Sequence, residues 1–367
     1  MLFRSGLYTD VEGELGKRLL LGVAGRFENF SDFGTNLSAK GTARLKITEG
    51  LNLRGSVSTG FRAPSLQQRY FQNTSTQFVS GLASNTLTVN NDNPIARTTI
   101  GVDALKPETS VNYAVGLTAK VSNALTLTVD AYRIDIKDRI VYSGAFSRAL
   151  IGFAATEYLG VNNVNIFANA ANTKTQGIDI VANSRFAVGK GNLSLTAAIN
   201  FNKSEVTGIN TTKLISDTAA SKNGMLLPNG GYTTNPGTWF KNLLFDRQQV
   251  SRIEVWQPKN KINVSATYSI GKFDITARVV RFGEVKYIHN AYTTAKKADG
   301  VSYWNTSNDI AGKAQNLFQY DASGNALIDQ TFKPVFVTDL IVNCRVAKGF
   351  SVSVGANNLF DASRPVL

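Results

Sequence analysis

The sequence contains few side chains that could carry out covalent chemistry or hold a metal ion. Its 367 residues include one histidine, His289, and one cysteine, Cys344, so no cysteine–histidine set with zinc-ligand spacing can form. His289 lies in a long polar segment and is interpreted as a solvated side chain. Cys344 lies on the apolar side of an alternating segment and is interpreted as a small hydrophobic residue. Because the glycines occur at turns rather than in a phosphate-binding loop, we predict no enzyme, no catalytic residue, no metal and no cofactor.

Aromatic side chains in long polar segments are the better candidates for binding chemistry. Aromatic rings mixed with Asn, Gln and Arg suit sugars, siderophores or peptides equally. The alternative is that these rings pack only against their own loops. The predicted ligand-binding residues are Arg62, Tyr70, Phe71, Tyr232, Trp239 and Trp304.

Long alternating strands are the elements that must position these side chains. From Lys261 to Ile270 every even position is apolar and every odd position is polar, and a period of two places alternate side chains on opposite faces of a strand. About twelve such strands can be read, in pairs joined by tight turns with Gly or Asn. The predicted strands are residues 2–15, 18–30, 38–48, 51–61, 110–121, 124–137, 174–188, 192–204, 260–270, 272–283, 335–347 and 350–358. The long connections are 62–109, 138–173, 205–259 and 284–334.

The two faces of these strands differ in charge. One face is apolar and the other holds the Arg, Lys, Asp and Glu residues. An Arg or Lys facing lipid near the bilayer midplane costs ~2–4 kcal/mol, so the uncharged face is predicted to meet lipid. A soluble β-sandwich also alternates apolar and polar residues along its strands, but those strands typically run about 5–6 residues, which is shorter than the strands predicted in this sequence.

Near Ala131 and Tyr132 the apolar pattern changes phase, which predicts either a β-bulge or the exit of the strand from the bilayer.

Composition narrows the class of protein further. The formal net charge is +13, but Lys and Arg are spread over strands and loops, so we predict a polar lumen and an anionic cell surface rather than nucleic acid as the partner. No apolar run approaches the ~18 residues of a spanning helix. The first residues do not read as a signal peptide, and the chain is therefore expected to be a fragment of a longer precursor.

Three motifs mark strand ends. Strand four ends in Gly55-Ser56-Val57-Ser58-Thr59-Gly60-Phe61-Arg62-Ala63-Pro64-Ser65, the return segment reads Leu105-Lys106-Pro107-Glu108-Thr109, and the last strand ends in Asn357-Asn358-Leu359-Phe360-Asp361. In this order the motifs resemble those of the TonB-dependent outer-membrane receptors, most closely the Bacteroidetes type. Physically, Pro64 and Pro107 end strands by removing a backbone donor.

The resemblance implies a specific architecture. The family has a 22-stranded barrel whose lumen is filled by a plug, and the whole chain, 1–367, would be a partial barrel holding strands 10 to 21. The expected fold is all-β, an antiparallel transmembrane β-barrel fragment that is open rather than closed. The plug, the first strands and the last strand are absent from it. Residues 65–109 contain no histidine, which argues against haem as the ligand.

The resemblance also implies a function and a location. The expected protein lies in the outer membrane of a Gram-negative bacterium, binds a scarce nutrient such as a siderophore or an oligosaccharide through its loops, and imports it with energy from the TonB complex. Its expected partners are membrane lipid, its own plug and remaining strands, the TonB complex and the small-molecule ligand. Two alternatives remain open: a passive porin-like channel and a surface adhesin.

Overall fold

The computed structural model describes residues 4–79, 82–147, 160–210, 225–226, 232–233, 244–288 and 329–362. Twelve antiparallel strands form one sheet, and each is paired to the next along the chain. They are β1 (Arg4–Leu15), β2 (Leu19–Phe30), β3 (Gly34–Thr48), β4 (Leu51–Arg62), β5 (Glu108–Lys120), β6 (Leu125–Tyr142), β7 (Val161–Val188), β8 (Gly191–Ile209), β9 (Asn260–Ile270), β10 (Phe273–Phe282), β11 (Val335–Ala347) and β12 (Phe350–Ala356). Within the described residues β1 and β12 do not pair with each other, so the predicted open sheet is confirmed.

Tight turns join the strands at one end of the sheet, which we call the turn end. Gly271 between β9 and β10 has φ 58° and Gly349 between β11 and β12 has φ 78°, conformations that glycine adopts without a Cβ clash. The opposite end, which we call the loop end, carries the long connections. The alternation of apolar and polar residues, together with these turns, explains why the strand positions were predictable.

Residues of one face stay on that face across the sheet. One continuous row runs through Val11, Val23, Gly41, Val57 and Tyr113 on β1 to β5. The side chains of this apolar face are exposed in the chain, with Val23 at 67% and Val354 at 71% of their full accessible area. The apolar face is therefore the surface that would be covered by hydrocarbon.

The structure excludes one of the two causes predicted for the phase change near Ala131. The pairing of β5 with β6 continues without a register shift from Lys120–Thr126 to Thr109–Lys137, so the predicted bulge at this point is wrong. Beyond Ala131 the apolar face of β6 carries charged residues instead, which fits the alternative of a strand leaving the apolar layer. The first irregularity of β6 lies near Asp138, which has φ 54°.

The apolar face ends in a row of charged side chains near the loop end, which we call the charged belt. Its members, placed on this face by the strand registers, are Arg133, Asp135, Lys137, Lys174, Lys203, Glu205 and Arg281. Arg133 Nε lies 2.9 Å from Asp135 Oδ2, and Lys174 Nζ lies 2.9 Å from Glu205 Oε2. The belt marks the level at which the outward surface changes from apolar to polar.

On the polar face, side chains of non-adjacent strands contact each other over glycine. Arg54 of β4 reaches Asp130 of β6 across Gly116 of β5, with Nη2 to Oδ2 at 2.7 Å. A Cβ built on Gly116 would lie 1.9 Å from Asp130 Oδ1. A side chain at this position would therefore displace the ion pair.

Several connections predicted as loops contain regular structure. Strands β7 and β8 continue beyond their predicted ends, so that 161–173 and 205–209 are strand. The segment 62–109 holds α1 (Leu66–Tyr70), a hairpin of Asn73–Val79 with Leu82–Val89, and a π-helix at Ile95–Ile100. A second helix, α2 (Arg247–Glu254), precedes β9. Short strands also occur at Phe146–Ser147, Met225–Leu226, Tyr232–Thr233, Val285–Tyr287 and Gln330–Phe332.

Candidate ligand-capture surface at the loop end

A dry hydrophobic core lies under the loop end. Hairpin strand Leu82–Val89 pairs in parallel with the start of β7, and the π-helix and the residues before α2 pack on them. The buried cluster consists of Leu87, Val89, Ile95, Ala96, Ile100, Val102, Val141, Phe146, Val161, Val164, Ile166, Ala168, Ala170, Ala171, Leu244 and Phe245. Because apolar side chains are removed from water here, the described segments pack together into one platform at the loop end.

The first two sequence motifs meet at the base of this platform. Arg62 and Glu108 stand opposite each other in the β4–β5 register, and Arg62 Nε donates to Glu108 Oε2 at 3.1 Å. Glu108 is 5% exposed and also accepts from the backbone N–H of Ile140 at 2.8 Å. The carboxylate therefore joins β4, β5 and β6, and Arg62 is its charge partner.

The return segment is held by a lattice of amide side chains. Asn169 accepts from the backbone N–H of Lys106 at 3.0 Å and donates to the carbonyl of Lys106 at 2.9 Å. Lys106 Nζ lies 2.9 Å from Asp138 Oδ2. Asn91, which is 2% exposed, donates to the carbonyl of Phe167 at 3.1 Å. These contacts position 101–107 over the tops of β6 and β7.

Exposed aromatic side chains project from α1 and its end. Tyr70 is 52% exposed and Phe71 is 46% exposed, and Leu66 of the same helix is 61% exposed. Ser65 begins α1 in a capping box with Gln68, and Arg69 pairs with Asp32 at 2.7 Å. Because the helix is fixed at both ends while its apolar side chains stay in solvent, this patch is suited to contact a ligand.

A second aromatic group lies between α2 and Val285–Tyr287. The rings of Trp256 and Tyr287 are 5.6 Å apart, and the Arg252 guanidinium lies 4.8 Å above the Trp256 ring. Gln248 donates to the Tyr287 hydroxyl at 3.0 Å. Both rings occur in segments where the sequence showed scattered aromatics, but their proximity depends on a contact between distant segments.

The carboxyl group that begins α2 has a perturbed pKa. Asp246 Oδ1 accepts from the backbone N–H of Gln249 at 2.8 Å and caps the helix. The Asp246 residue is 4% exposed. This burial raises the pKa of its carboxyl above the ordinary value, although the backbone hydrogen bonds that the carboxyl accepts act to lower that pKa.

The structure describes only part of the predicted ligand-binding set. Arg62, Tyr70 and Phe71 lie at the loop end above β4, with Arg62 engaged by Glu108 and the two aromatic residues exposed. Tyr232 belongs to a two-residue strand paired with Met225–Leu226. Trp239, Trp304 and His289 lie outside the described residues. Cys344 lies on the apolar face opposite Val352, where it was predicted.

The described residues contain neither a metal-binding cluster nor a membrane-spanning helix. No group of three or more His, Cys, Asp and Glu residues could hold a metal ion in the part of the chain that the structure describes. Among the same residues, none of the helices has the length and apolar character that crossing a membrane requires.

An open sheet of long antiparallel strands, with one face that is apolar up to the charged belt and packed loops at one end, is typical of the wall of an outer-membrane protein. The family model described as "TonB dependent receptor-like, beta-barrel" matches residues 3–359. The chain belongs to this family of TonB-dependent receptors and lies in the outer membrane of a Gram-negative bacterium.

Several solved structures with a similar fold are siderophore receptors. A double mutant of the ferric enterobactin receptor of Pseudomonas aeruginosa is 15% identical with a TM-score of 0.58, over 97% of this chain and 39% of the receptor. The siderophore receptor PirA of Acinetobacter baumannii is 17% identical with a TM-score of 0.56, over 98% of this chain and 41% of that one. The ferripyoverdine receptor of the outer membrane of P. aeruginosa is 12% identical with a TM-score of 0.52, over 98% and 34%.

At such identities the similarity to these receptors shows the fold alone. This chain spans 39% and 41% of the length of the first two receptors. No curated protein matches the sequence.

Proposed function

We propose that this chain is the part of a TonB-dependent receptor that supplies half of the barrel wall and the ligand-capture loops. In this proposal 1–367 holds strands 10 to 21 of a 22-stranded barrel, and the plug, the first strands and the last strand belong to the rest of the protein. The complete receptor binds a scarce nutrient from outside the cell and imports it with energy from the TonB complex. It is not an enzyme.

The observation that carries this proposal is the packed loop end. Exposed Tyr70 and Phe71 project from a fixed helix beside a dry core. A passive channel needs only an open lumen, whereas a receptor needs a surface that presents ligand-contacting side chains in a fixed geometry. An ordered platform with exposed rings supports the receptor.

The first ligand class to test is the ferric siderophores. The solved structures named above include a ferric enterobactin receptor and a ferripyoverdine receptor. In the proposal Tyr70 and Phe71 contact the ligand, and Arg62 holds their segment in place through Glu108. Tyr232, Trp239 and Trp304 are proposed as further ligand contacts from the other long loops. Oligosaccharides are the second class to test.

The experiment measures binding and uptake separately, using the protein as its complete gene encodes it. Radioactive ferric enterobactin should bind whole cells, and its uptake should stop when a protonophore removes the proton gradient. The double substitution Tyr70→Ala, Phe71→Ala should weaken binding by about 10–100-fold, since the loss of two aromatic contacts removes roughly 1–3 kcal/mol. Phe360→Ala, at a ring that is 74% exposed and follows the end of β12, is the control.

Different failures point to different alternatives. Uptake that continues without a proton gradient would favour the porin-like channel. Absence of uptake for every ferric siderophore and oligosaccharide tested, combined with attachment of cells to host or matrix surfaces, would favour the adhesin.

A further inference from the structure

Charged side chains are distributed unevenly across the polar face, the face that would line the lumen. From β1 to β6 every strand places at least one charged residue on this face. Examples, one from each strand in chain order, are Asp10, Glu28, Arg44, Arg54, Glu108 and Asp130. Strand β8 places none there, because Lys203 and Glu205 stand on its apolar face. Strand β9 places only Lys261 there, near the loop end.

The uncharged part of the polar face forms a continuous surface on two neighbouring strands, which we call the neutral stripe. It consists of the polar-face residues of β8 from Asn192 to Asn202 and of β9 from Asn263 to Ser269. At ~3.3 Å per residue the β8 part is ~33 Å long, which matches the ~30 Å hydrocarbon core of a bilayer. The flanking charged strands, β7 and β10, stand three strand spacings apart, or ~14 Å at ~4.8 Å each. The neutral stripe is therefore long enough to cross the membrane and wide enough for an extended polar molecule.

The polar groups of the neutral stripe and its border bond to one another. The hydroxyls of Thr267 and Thr276 lie 2.9 Å apart. At the border on β10, Arg278 Nε donates to Asp339 Oδ2 at 2.7 Å, so this charge is neutralised by a partner. Hydrogen bonds between neutral groups contribute only about 0.5–1.5 kcal/mol each, and a passing ligand can exchange with them one at a time. The neutral stripe therefore offers many weak contacts and no free charge that would trap a ligand.

The polar face of β3 and β4 has the opposite character. Lys40 and Arg44 of β3 make no ion pair within the described residues, and with Arg54 of β4 they line a recess of about 260 Å³. A cation that is shielded from water inside a filled lumen is stabilised only by a carboxylate partner. The β3–β4 side is therefore suited to hold the plug by ion pairs, whereas the neutral stripe gives the plug little to hold.

We propose that the imported ligand descends along the neutral stripe, between the plug and the polar face of β8 and β9, while the β3–β4 side keeps the plug in place. The ligand class that suits this surface is an uncharged, hydroxyl-rich molecule such as an oligosaccharide. Its hydroxyls both donate and accept, as do the hydroxyls and amides of the neutral stripe. This inference rests on the proposed function and favours the second of the two ligand classes named there.

The test measures where the lumen opens and needs no identified ligand. It uses whole cells that carry the protein encoded by its complete gene in a cysteine-free form that includes Cys344→Ser. Ser194→Cys and Thr267→Cys, which stand opposite each other in the β8–β9 register, each place one thiol on the neutral stripe. The probe is hydroxyethyl methanethiosulfonate, a small neutral reagent. Labelling of both thiols should be about tenfold faster in respiring cells than in cells treated with a protonophore, because the energised receptor opens this side.

Matched controls lie on the other side of the same face. Thr42→Cys and Ser56→Cys stand opposite each other in the β3–β4 register and line the recess beside Lys40 and Arg44. Both should label slowly whether or not the proton gradient is present, because the plug stays bound there. Assembly of each variant is checked by heat-modifiable migration in gels. If one variant of a facing pair does not assemble, the other reports on the same side.

The ligand class is tested with an anionic reagent at the same thiols. Sulfonatoethyl methanethiosulfonate carries a negative charge and is otherwise similar in size to the neutral reagent. After each rate is divided by the rate with free cysteine, labelling of Ser194→Cys and Thr267→Cys in respiring cells should be several-fold slower with the anionic reagent.

The outcomes separate the path from the receptor function. Energy-dependent labelling of Thr42→Cys and Ser56→Cys, alone or equally with the neutral stripe, would overturn the path and leave the receptor function intact. Labelling that does not depend on the gradient at any of the four thiols would also overturn the path. If, in addition, no ferric siderophore or oligosaccharide showed gradient-dependent uptake, the proposed function would fail as well. Equal normalised rates for the neutral and anionic reagents would remove the preference for an uncharged ligand.

Discussion

The sheet and the loop end use apolar side chains in opposite ways. On the sheet they project outward, as with Val23 at 67% and Phe350 at 59% exposure, whereas at the loop end Phe146 and Ile166 are 0% exposed. The sheet is stabilised by its hydrogen-bond ladder, and lipid would cover its apolar face, on which the described residues place no second layer. The loop end stands in water and must bury its own apolar surface. The same kinds of residue therefore have different roles on the two sides of the charged belt.

The largest effect is expected from a substitution that creates a cavity in the core of the loop end. Phe146→Ala should destabilise the packed loops by about 3–5 kcal/mol, the cost of removing a buried ring and leaving a cavity. Hydrogen exchange at 161–171 should become faster, while exchange in β1 to β4 stays unchanged. Phe350→Ala, at an exposed ring on the apolar face, should leave exchange at 161–171 as it was. Equal exchange in the two variants would contradict a loop core that depends on burial.

A charge on the apolar face should have the next largest effect. Leu195→Arg places a cation toward lipid and should cost about 2–4 kcal/mol, seen as a loss of assembled protein in the outer membrane. Thr196→Arg turns the same charge to the polar face and removes only the hydrogen bond of Thr196 Oγ1 to Asn183 at 2.9 Å, about 1 kcal/mol. If both variants assembled equally well, 193–201 would have no lipid-facing side.

A smaller effect is expected on the polar face. Gly116→Ala forces a Cβ into the Arg54–Asp130 pair and should cost about 1–3 kcal/mol by overpacking, since an exposed ion pair alone contributes little. Gly55→Ala is the control, because Gly55 is in the same strand pair but its Cβ would make only an ordinary contact, 3.8 Å from the Ala114 carbonyl oxygen. The free energy of unfolding in denaturant measures both. A cost for Gly55→Ala equal to that for Gly116→Ala would argue against the glycine requirement.

The smallest effect concerns pH at the loop end. Burial raises the pKa of the Asp246 carboxyl in the folded chain, so the folded state binds this proton more tightly than the unfolded state. The stability contributed by the group is present below its unfolded pKa and falls as pH rises through the folded pKa. Asp246→Asn keeps a good helix cap and should flatten the pH dependence of proteolysis at 247–254. An unchanged pH profile in this variant would assign the dependence to another group.

The strands of the sheet could be predicted well because their signals are local. β9 was read from its alternation alone and ends where predicted, at Ile270. The turns at Gly271 and Gly349 also follow from residue type, since glycine adopts positive φ without strain. The extensions of β7 and β8 past the apolar layer were missed, because alternation weakens where one face no longer meets lipid.

The candidate site was predicted only in part. The motif around Arg62 was recognised and Tyr70 and Phe71 were chosen as exposed aromatic residues, yet the ion pair of Arg62 with Glu108 joins residues 46 positions apart. The Trp256–Tyr287 group likewise combines two segments whose contact has no local signal. Such pairs depend on the strand register of the whole sheet.

The sequence by itself determined which segments are strands, which face of each strand is uncharged, where the tight turns lie and which family the motifs resemble, because a period of two and turn chemistry act over a few neighbouring residues. Only the tertiary structure decided which polar segments fold into a core at the loop end, that β6 leaves the apolar layer without a bulge, and that Arg54 and Asp130 meet across Gly116. These features arise from pairing between strands that are distant in the chain, where burial and contact depend on the register and not on the local pattern.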